Sequence, residues 1–326
     1  MNVPFTAPVP GILRQPPELS QRSDVLDATA SSEEDALVTR RHPPALLAAL
    51  CVSALLLAGI GPASGASHDQ CERQFKPEIG QPGKDVMWVP TTDALVARML
   101  KMAQVTSADR VYDLGAGDGK IAIAAARDFG AQAVGVEYEP QLARLAQCYV
   151  QAEGLGERVR IIQGDVFETD FSAATVVTLY LLPELNLRLR PTILRMKPGT
   201  RVVSHSFLMQ DWEPDERSMT EDGSAYLWIV PAQVAGTWEF RESDGPGRFV
   251  AQLEQNFQRI SGRAGDEPLI SNARIRGSQV NLMFVESGAQ TKVEGNVAGD
   301  RIEAQVTRGG KTSRYIGSRS QGGSGR

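Results

Sequence analysis

The stretch Val111-Tyr-Asp-Leu-Gly-Ala-Gly-Asp-Gly-Lys120 decides the fold, because an apolar strand here ends in a glycine-rich turn that opens a helix. The turn contains Gly115, Gly117 and Gly119, which can adopt positive φ angles and carry no Cβ atom, so a ligand can press against the backbone. The amide groups of the first helical turn would point towards that ligand. The stretch therefore predicts a strand, a binding turn and a helix in succession.

The spacing of this turn discriminates between two ligand classes. A dinucleotide fingerprint has the spacing G-x-G-x-x-G, whereas here the spacing is G-x-G-x-G and Lys120 stands at the third glycine position. Asp113 before the turn and Asp118 inside it would repel phosphates, yet would suit the positively charged methionine moiety of S-adenosylmethionine (SAM). The turn therefore favours SAM over a dinucleotide.

Two further carboxylates stand at the ends of the next two predicted strands. Glu137 lies about 20 residues beyond Gly117, where a carboxylate can accept hydrogen bonds from both ribose hydroxyls, a feature that NAD enzymes share. Asp165, in the segment IIQGDVFETD, can accept a hydrogen bond from the adenine amino group. Each acid alone is weak evidence, but a G-x-G-x-G turn with acids at three successive strand ends is a more specific pattern.

Working outward, the sequence alternates between apolar strands and helical segments. The predicted strands are 110–114, 133–137, 159–162, 174–181 and 200–206, and the predicted helices between them are 120–128, 140–152 and 183–196. Apolar strands separated by helices of this length indicate a mostly parallel sheet that is covered on both faces. The fold class is therefore α/β, and the sheet is doubly wound.

This region resembles the class I SAM-dependent methyltransferases from about Asp85 to Phe207. Within that class, the segments GQPGKDVMWVPTTDALVARML, YDLGAGDGKIAIAAA and VTLYLLPELNLRLRPTILRMKPGTRVVSHSF, with the DW that follows, look like a bacterial group related to the mitochondrial membrane-anchored protein-lysine methyltransferases. The resemblance implies a methyltransferase sheet of the seven-stranded type and SAM as the cofactor. It assigns SAM binding to Asp113, Gly115, Gly117, Glu137 and Asp165.

In the family, the segment after the fourth strand lines the acceptor site, and here it is Leu179-Tyr-Leu-Leu-Pro-Glu184. It departs from the Asn/Asp-Pro-Pro-Tyr motif of enzymes that methylate bases or glutamine, so transfer to such amines is less expected. We expect Tyr180 to orient a lysine amine, and Glu184 to guide the cation or accept a proton. The alternatives are that Tyr180 is a core aromatic and that Glu184 is a first-turn acid that stabilises the helix dipole.

Other side chains near this region have two interpretations each. His205, after the fifth strand, is either a general base or a hydrogen-bonded structural residue. Trp88 and Pro90 can fold over SAM as an entrance flap, and Trp212 can form a wall of the acceptor pocket, although packing alone explains all three equally well. Cys148, on the second helix, is expected to be buried and inert.

The first 66 residues predict a tail and a targeting segment. Residues 1–44 are rich in Pro, Ser, Ala and acids without a sustained apolar period, which predicts disorder. The apolar run 45–60 would span roughly 24 Å as a helix, against a hydrocarbon core of roughly 30 Å. Residues 45–66 are therefore predicted to be a signal peptide or a membrane anchor. We expect an exported or inner-membrane-anchored protein, with a cytoplasmic one as the alternative.

The last hundred residues differ in pattern. Short alternating runs such as RFVAQLEQNF and ARIRGSQVNLMFV are punctuated by glycine-containing turns, which predicts a small antiparallel β meander or barrel domain. The runs YLWIV and GTWEF at its start can instead finish the sheet of the first domain. We divide the chain into a methyltransferase domain at 67–225, a β-rich domain at 226–318 and a disordered tail at 319–326.

The composition restricts the possible functions. With 42% apolar residues, 22% charged residues and a formal charge of −5, the chain is neither wholly disordered nor a multi-span membrane protein. The negative charge gives no global reason to expect nucleic-acid binding. Three cysteines that stand far apart allow at most one disulfide bond, and with three histidines they do not make a zinc scaffold, so no metal is expected.

The leading hypothesis is a SAM-dependent methyltransferase that methylates a protein lysine by in-line displacement. The expected partner is a protein substrate, and residues 45–60 allow membrane association. Two alternatives remain open at this point. One keeps the fold but gives it a small-molecule acceptor. The other is an exported binding protein with a vestigial SAM fold, because export leads to a compartment where SAM is not expected to be made.

Overall fold

The computed structural model describes residues 67–83, 87–270 and 272–320. The predicted tail at 1–44 and the apolar segment 45–60 lie outside the described residues. Within the described ranges, no helix is long and apolar enough to cross a bilayer.

Helices alternate with the early strands, and strands alone make up the later part of the chain. The helices described are α1 (His68–Phe75), α2 (Asp93–Met102), α3 (Lys120–Phe129), α4 (Pro140–Ala152) and α5 (Pro183–Ile193). The first seven strands are β1 (Arg110–Leu114), β2 (Gln132–Glu137), β3 (Val159–Gln163), β4 (Val176–Leu179), β5 (Arg201–His205), β6 (Glu216–Thr220) and β7 (Gly223–Ile229). The remaining strands are β8 (Gly236–Glu242), β9 (Arg248–Asn256), β10 (Arg259–Ala264), β11 (Glu267–Pro268), β12 (Arg274–Arg276), β13 (Gln279–Glu286), β14 (Ala289–Ala298), β15 (Arg301–Arg308) and β16 (Lys311–Arg319).

The first seven strands form one sheet in the order β3-β2-β1-β4-β5-β7-β6. Strands β1 to β5 pair in parallel, and β7 pairs antiparallel with both β5 and β6. Every residue of β4 (VVTL) is buried, as expected for a strand covered on both faces. The predicted doubly wound, mostly parallel, seven-stranded sheet is confirmed.

The strand order reverses between β1 and β4, and this reversal positions the functional site. The chain runs outward from β1 through β2 to β3, then returns to the other side of β1 at β4. In open α/β sheets, ligands bind outside the carboxyl ends of the strands at such a switch point. The glycine-rich turn after β1 and the segment after β4 both lie there. The fourth strand is shorter than predicted and ends at Leu179, so Tyr180 leaves the ladder.

The later strands form an antiparallel barrel. Successive strands pair from β8 to β16, apart from the short β11, and the ring is closed because β16 pairs with β8 and β9 with β10. Burial alternates along β9 (RFVAQLEQN), so one face of that strand points inward. The interior is filled by large side chains that include Trp238, Phe240 and Phe284. Of the two predicted forms, a meander or a barrel, the structure has the barrel.

The two sheets divide later than the sequence suggested. The run YLWIV belongs to β7 and finishes the first sheet, whereas GTWEF belongs to β8 in the barrel. The predicted boundary at residue 226 therefore falls inside β7. Five consecutive residues of β7 are buried, which is the pattern of a strand covered on both faces, whereas β8 alternates. At the other end the barrel extends to Arg319, which pairs with Trp238, rather than ending at 318.

The barrel packs against the first sheet through polar and aromatic contacts. Gln258 donates from Nε2 to the carbonyl oxygen of Glu213 at 2.6 Å, and Arg259 forms an ion pair with the Glu213 carboxylate. The rings of Trp212 and Phe257 stack with centroids 5.8 Å apart. Trp212 is fully buried in this junction, so the expectation that it forms a wall of an acceptor pocket is wrong.

A disulfide bond joins Cys71 on α1 to Cys148 on α4, with 77 residues between them in sequence. The expectation of an inert, free Cys148 is therefore wrong, and the single bridge that the cysteine count allowed is present. The helices also meet where the rings of His68 and Tyr149 stack at 4.4 Å between centroids. Sequence reasoning missed the bridge because the position of α1 depends on long-range packing.

Candidate functional site

The turn between β1 and α3 has the conformation that its glycines predict. Gly115, Gly117 and Gly119 all have positive φ angles, of 83°, 56° and 80°. A Cβ atom on Gly115 would lie 2.8 Å from the Leu181 side chain, and one on Gly117 would lie 2.6 Å from Nε1 of Trp88. Side chains would therefore fill the space over the turn, so glycine is needed there for both conformation and room.

Glu137 ends β2 directly beside this turn. Its Oε2 atom accepts a hydrogen bond from the amide of Gly117 at 2.7 Å, and its Oε1 atom accepts one from the amide of Glu139 at 2.8 Å. Burial is the main cause that raises the pKa of Glu137 above its usual value. Two backbone donors thus fix the orientation of the carboxylate, and each oxygen keeps a further lone pair for a ligand hydroxyl.

Asp113, near the end of β1, is the most perturbed acid of the site. Its Oδ1 atom accepts a hydrogen bond from the Thr178 hydroxyl at 2.7 Å, while Oδ2 is buried and has no hydrogen-bond partner among the described residues. Burial raises the pKa of Asp113 to about 7, and the charges of Asp118 and Glu137 contribute to the rise. A buried oxygen without a donor is costly, so it suits a ligand that brings a positive charge or a donor.

Asp165 follows β3 in a tight turn. Its Oδ1 atom accepts a hydrogen bond from the amide of Phe167 at 2.9 Å, which orients the side chain. The guanidinium of Arg188, on α5, lies 3.8 Å from the centroid of the Phe167 ring. Phe167 is therefore held next to Asp165, as needed for an apolar surface beside a hydrogen-bonding acid.

A cavity of about 470 Å³ joins these residues into one site. It is lined by all five residues assigned to SAM, Asp113, Gly115, Gly117, Glu137 and Asp165, and also by Tyr180. The remaining lining is largely apolar. Its size is within the range of small-molecule sites. The bare glycine turn, the partnerless Asp113 oxygen and the oriented Glu137 carboxylate together fit SAM.

Tyr180 stands at the end of the cavity that the fourth strand contributes. Its ring stacks on His205 with centroids 3.7 Å apart, and its centroid is 6.2 Å from that of Phe207. The Nδ1 atom of His205 lies 3.0 Å from the Thr91 hydroxyl oxygen. Burial lowers the pKa of His205 to about 4, so the ring is neutral near pH 7 and is a weak base. The hydrogen-bonded interpretation of His205 fits this geometry better than the general-base one.

Glu184 is not among the residues that line the cavity. It is exposed and lies in the first turn of α5. That position is the one a helix-stabilising acid would have. A role for Glu184 in transfer stays a prediction, as does the role of Tyr180.

The segment 87–91, called the entrance segment below, covers the cavity mouth, and each of its residues lines the cavity. The backbone of Trp88 exchanges hydrogen bonds with the preceding chain, since its amide donates to Gln81 and its carbonyl oxygen accepts from Gly80. Sequence reasoning anticipated Trp88 and Pro90 here but missed Thr91. The signal was available in the segment WVPTT, which belongs to the quoted resemblance.

Comparisons with known proteins agree with this geometry. The family model of the ANTKMT methyltransferase domain matches residues 113–216. A protein-lysine N-methyltransferase of Saccharolobus islandicus (strain REY15A) is 45% identical over 151 residues, which cover 44% of this chain and 94% of that protein. A lysine N-methyltransferase of Homo sapiens, named for ATP synthase, is 30% identical over 45% of this chain and 62% of its own length.

A further relative and one solved structure complete the comparison. The adenine nucleotide translocase lysine N-methyltransferase of Mus musculus is 27% identical over 39% of this chain and 55% of its own length. The chain thus spans less than two thirds of the human and mouse relatives. The crystal structure of an RNA methyltransferase from Salinibacter ruber in complex with S-adenosyl-L-homocysteine is 47% identical and covers 45% of this chain and 96% of that chain, with a TM-score of 0.44.

Proposed function

Because the chain belongs to the class I SAM-dependent methyltransferases, in the family of the ANTKMT methyltransferase domain, we propose that it transfers the methyl group of SAM to the side-chain amine of a protein lysine. The observation that carries the proposal is the single cavity that joins the glycine turn and its acids to Tyr180. Cofactor and acceptor ends thus share one space. The lysine specificity of the Saccharolobus relative supports the choice of acceptor.

SAM, when bound, supplies a methyl group on a sulfonium that an amine can attack in line. Asp113 would meet the positively charged part of the cofactor, because its buried Oδ2 oxygen lacks a donor among the described residues. Glu137 would accept hydrogen bonds from the ribose hydroxyls, and Asp165 one from the adenine amino group. The turn at Gly115 and Gly117 would let the cofactor lie against the backbone.

The acceptor end has to bind a lysine amine in its neutral form. Deprotonating an amine with a pKa near 10.4 at pH 7.4 costs about 4 kcal/mol, and an apolar site lowers that cost. Leu181, Leu182 and Phe207 supply such a surface next to Tyr180. Tyr180 would orient the amine, and holding it in near-attack geometry can contribute about 7 to 11 kcal/mol.

The test is methyl labelling of host proteins with tritiated SAM and the full-length protein. We expect label that is sensitive to protease, resistant to nuclease and recovered as methyl-lysine after acid hydrolysis. Gly117→Arg is the inactive comparison and should leave the proteins unlabelled. Nuclease-sensitive label would overturn the lysine assignment, as would label confined to small molecules. A folded protein that binds no SAM would support the vestigial interpretation instead.

For its location, we propose that residues 45–60 direct export or anchor the protein to the inner membrane. The apolar run, the small residues after it and the Cys71–Cys148 disulfide bond support this, because disulfide bonds persist in oxidising compartments. Cell fractionation with N-terminal sequencing of the mature chain is the test. We expect recovery outside the cytoplasmic fraction, and a cytoplasmic protein with reduced cysteines would contradict the proposal. An exported enzyme would need SAM supplied across the membrane.

A further inference from the structure

A strained turn follows β5 at the acceptor end of the cavity. Ser206 has a φ angle of +62°, in the left-handed region that a residue other than glycine rarely adopts. The amide of Ser206 donates to the carbonyl oxygen of Ser224, and the amide of Phe207 donates to that of His205, both at 2.8 Å. This turn brings the rings of both His205 and Phe207 alongside Tyr180. Backbone strain of this kind is concentrated at functional sites.

The His205 ring is held on three sides. One face stacks on Tyr180, and Nδ1 lies 3.0 Å from the hydroxyl oxygen of Thr91. On the Nε2 side, a Cβ atom added to Gly223 would come within 3.3 Å of the ring, so a larger residue there would crowd it. Thr91 and His205 are both buried. The imidazole therefore has little freedom to rotate, and its orientation depends on the Thr91 hydroxyl.

His205 is unsuited to accept a proton from the acceptor amine. Burial lowers its pKa to about 4. A neutral imidazole has one donor nitrogen and one acceptor nitrogen, which suits a fixed hydrogen bond. Among the described residues, His205 is also absent from the lining of the cavity, whereas Tyr180 and Thr91 are part of it. The ring thus lies behind Tyr180.

We propose that Thr91 and His205 are positioning residues for methyl transfer: Thr91 fixes the His205 ring, and that ring holds Tyr180 at the acceptor end of the cavity. This inference rests on the proposed function. The contact links the entrance segment to the end of β5, which are 114 residues apart in sequence. It therefore couples the cover of the cavity to the residue that would orient the acceptor.

The first test needs no acceptor and follows the Tyr180 ring by fluorine NMR of the full-length protein labelled with 3-fluorotyrosine. Loss of a resonance in Tyr180→Phe assigns the Tyr180 signal. In Thr91→Val we expect this signal to move towards that of a free tyrosine and to sharpen, because the His205 ring loses its hydrogen bond. Thr91→Ser, which keeps the hydroxyl, should restore the wild-type signal. An unchanged Tyr180 signal in Thr91→Val and in His205→Asn would overturn the proposal.

A matched control separates positioning from general loss of packing. Thr291 is a fully buried threonine in the barrel whose hydroxyl accepts a hydrogen bond from Arg308. Thr291→Val therefore makes the same chemical change far from the sheet. It should leave the Tyr180 signal unchanged. A shift of equal size in this variant would mean that the NMR change reports stability alone, which would also overturn the proposal.

The second test uses the proteins labelled in the transfer assay. In Thr91→Val and His205→Phe we expect kcat to fall by about ten-fold while the Kd for SAM stays within about two-fold, since misplacement of the acceptor by about 1 Å is that costly. Thr91→Ser should recover kcat. Unchanged kcat with a loosened Tyr180 ring would overturn the positioning role. Absence of lysine methylation in wild type would instead contradict the proposed function and leave the NMR result standing.

Discussion

The sheet and the barrel of this protein are both filled by apolar side chains, yet they treat polar groups differently. In the first sheet, β1 and β2 end in buried acids, Asp113 and Glu137, at the edge where the strand order reverses. In the barrel, polar side chains alternate outward and the interior is packed with aromatic rings. A parallel sheet gathers its strand ends at one edge, whereas a closed barrel of this size fills its own centre. Chemistry is therefore expected at the sheet edge, and stability in the barrel.

The largest expected effect separates the two regions by one substitution in each. Gly117→Arg should abolish SAM binding, because the position has a φ angle of 56° and a side chain there would meet Trp88. Gly309→Arg is the matched control, with a φ angle of 57° in the turn between β15 and β16 and open space around it. Isothermal calorimetry measures both. Equal loss in the two variants would mean that strain alone explains the effect.

The barrel should respond in stability rather than in binding. Phe240 is fully buried in the barrel and stacks on Phe249 with centroids 4.6 Å apart. Phe240→Ala should lower the free energy of unfolding by about 3–5 kcal/mol. Denaturant unfolding measures this, and calorimetry on the folded variant should give an unchanged Kd for SAM. A large loss of SAM affinity would show that the barrel contributes to the cofactor site.

The buried acid of the sheet should make stability depend on pH. The pKa of Asp113 is raised to about 7 in the folded state, so between its unfolded value of 3.8 and that value the native state binds more protons. Stability from this group is therefore lost as pH rises. The free energy of unfolding of wild type, relative to Asp113→Asn, should fall by about 2–3 kcal/mol between about pH 5 and pH 8. A difference that does not vary with pH would contradict the raised pKa.

The smallest expected effect concerns Glu184, at the start of α5. Because it is exposed and outside the cavity lining, Glu184→Gln should lower the free energy of unfolding by about 0.3–1 kcal/mol through the helix dipole. The kcat should stay within about two-fold of wild type. A fall of about ten-fold or more, measured in the transfer assay, would favour the predicted role in guiding or deprotonating the amine.

Local sequence was sufficient wherever a single stretch carries its own periodicity. The strand at 110–114 and the helix at 140–152 have the predicted bounds, because apolar pattern and cap signals are read within a few residues. Strand β6 was missed, since four of its five residues are exposed and no apolar alternation marks it. Strand β7 was first assigned to the other domain because its pairing with β5 depends on a distant partner.

The sequence by itself determined the α/β class, the cofactor turn and the three acids, because each follows from residues that are neighbours along the chain. Only the tertiary structure decided the Cys71–Cys148 bridge, the closure of the barrel and the burial of Trp212. It also decided the contact between Thr91 and His205. These features join parts of the chain that lie far apart, so they depend on packing free energy summed over the whole fold, which no local pattern encodes.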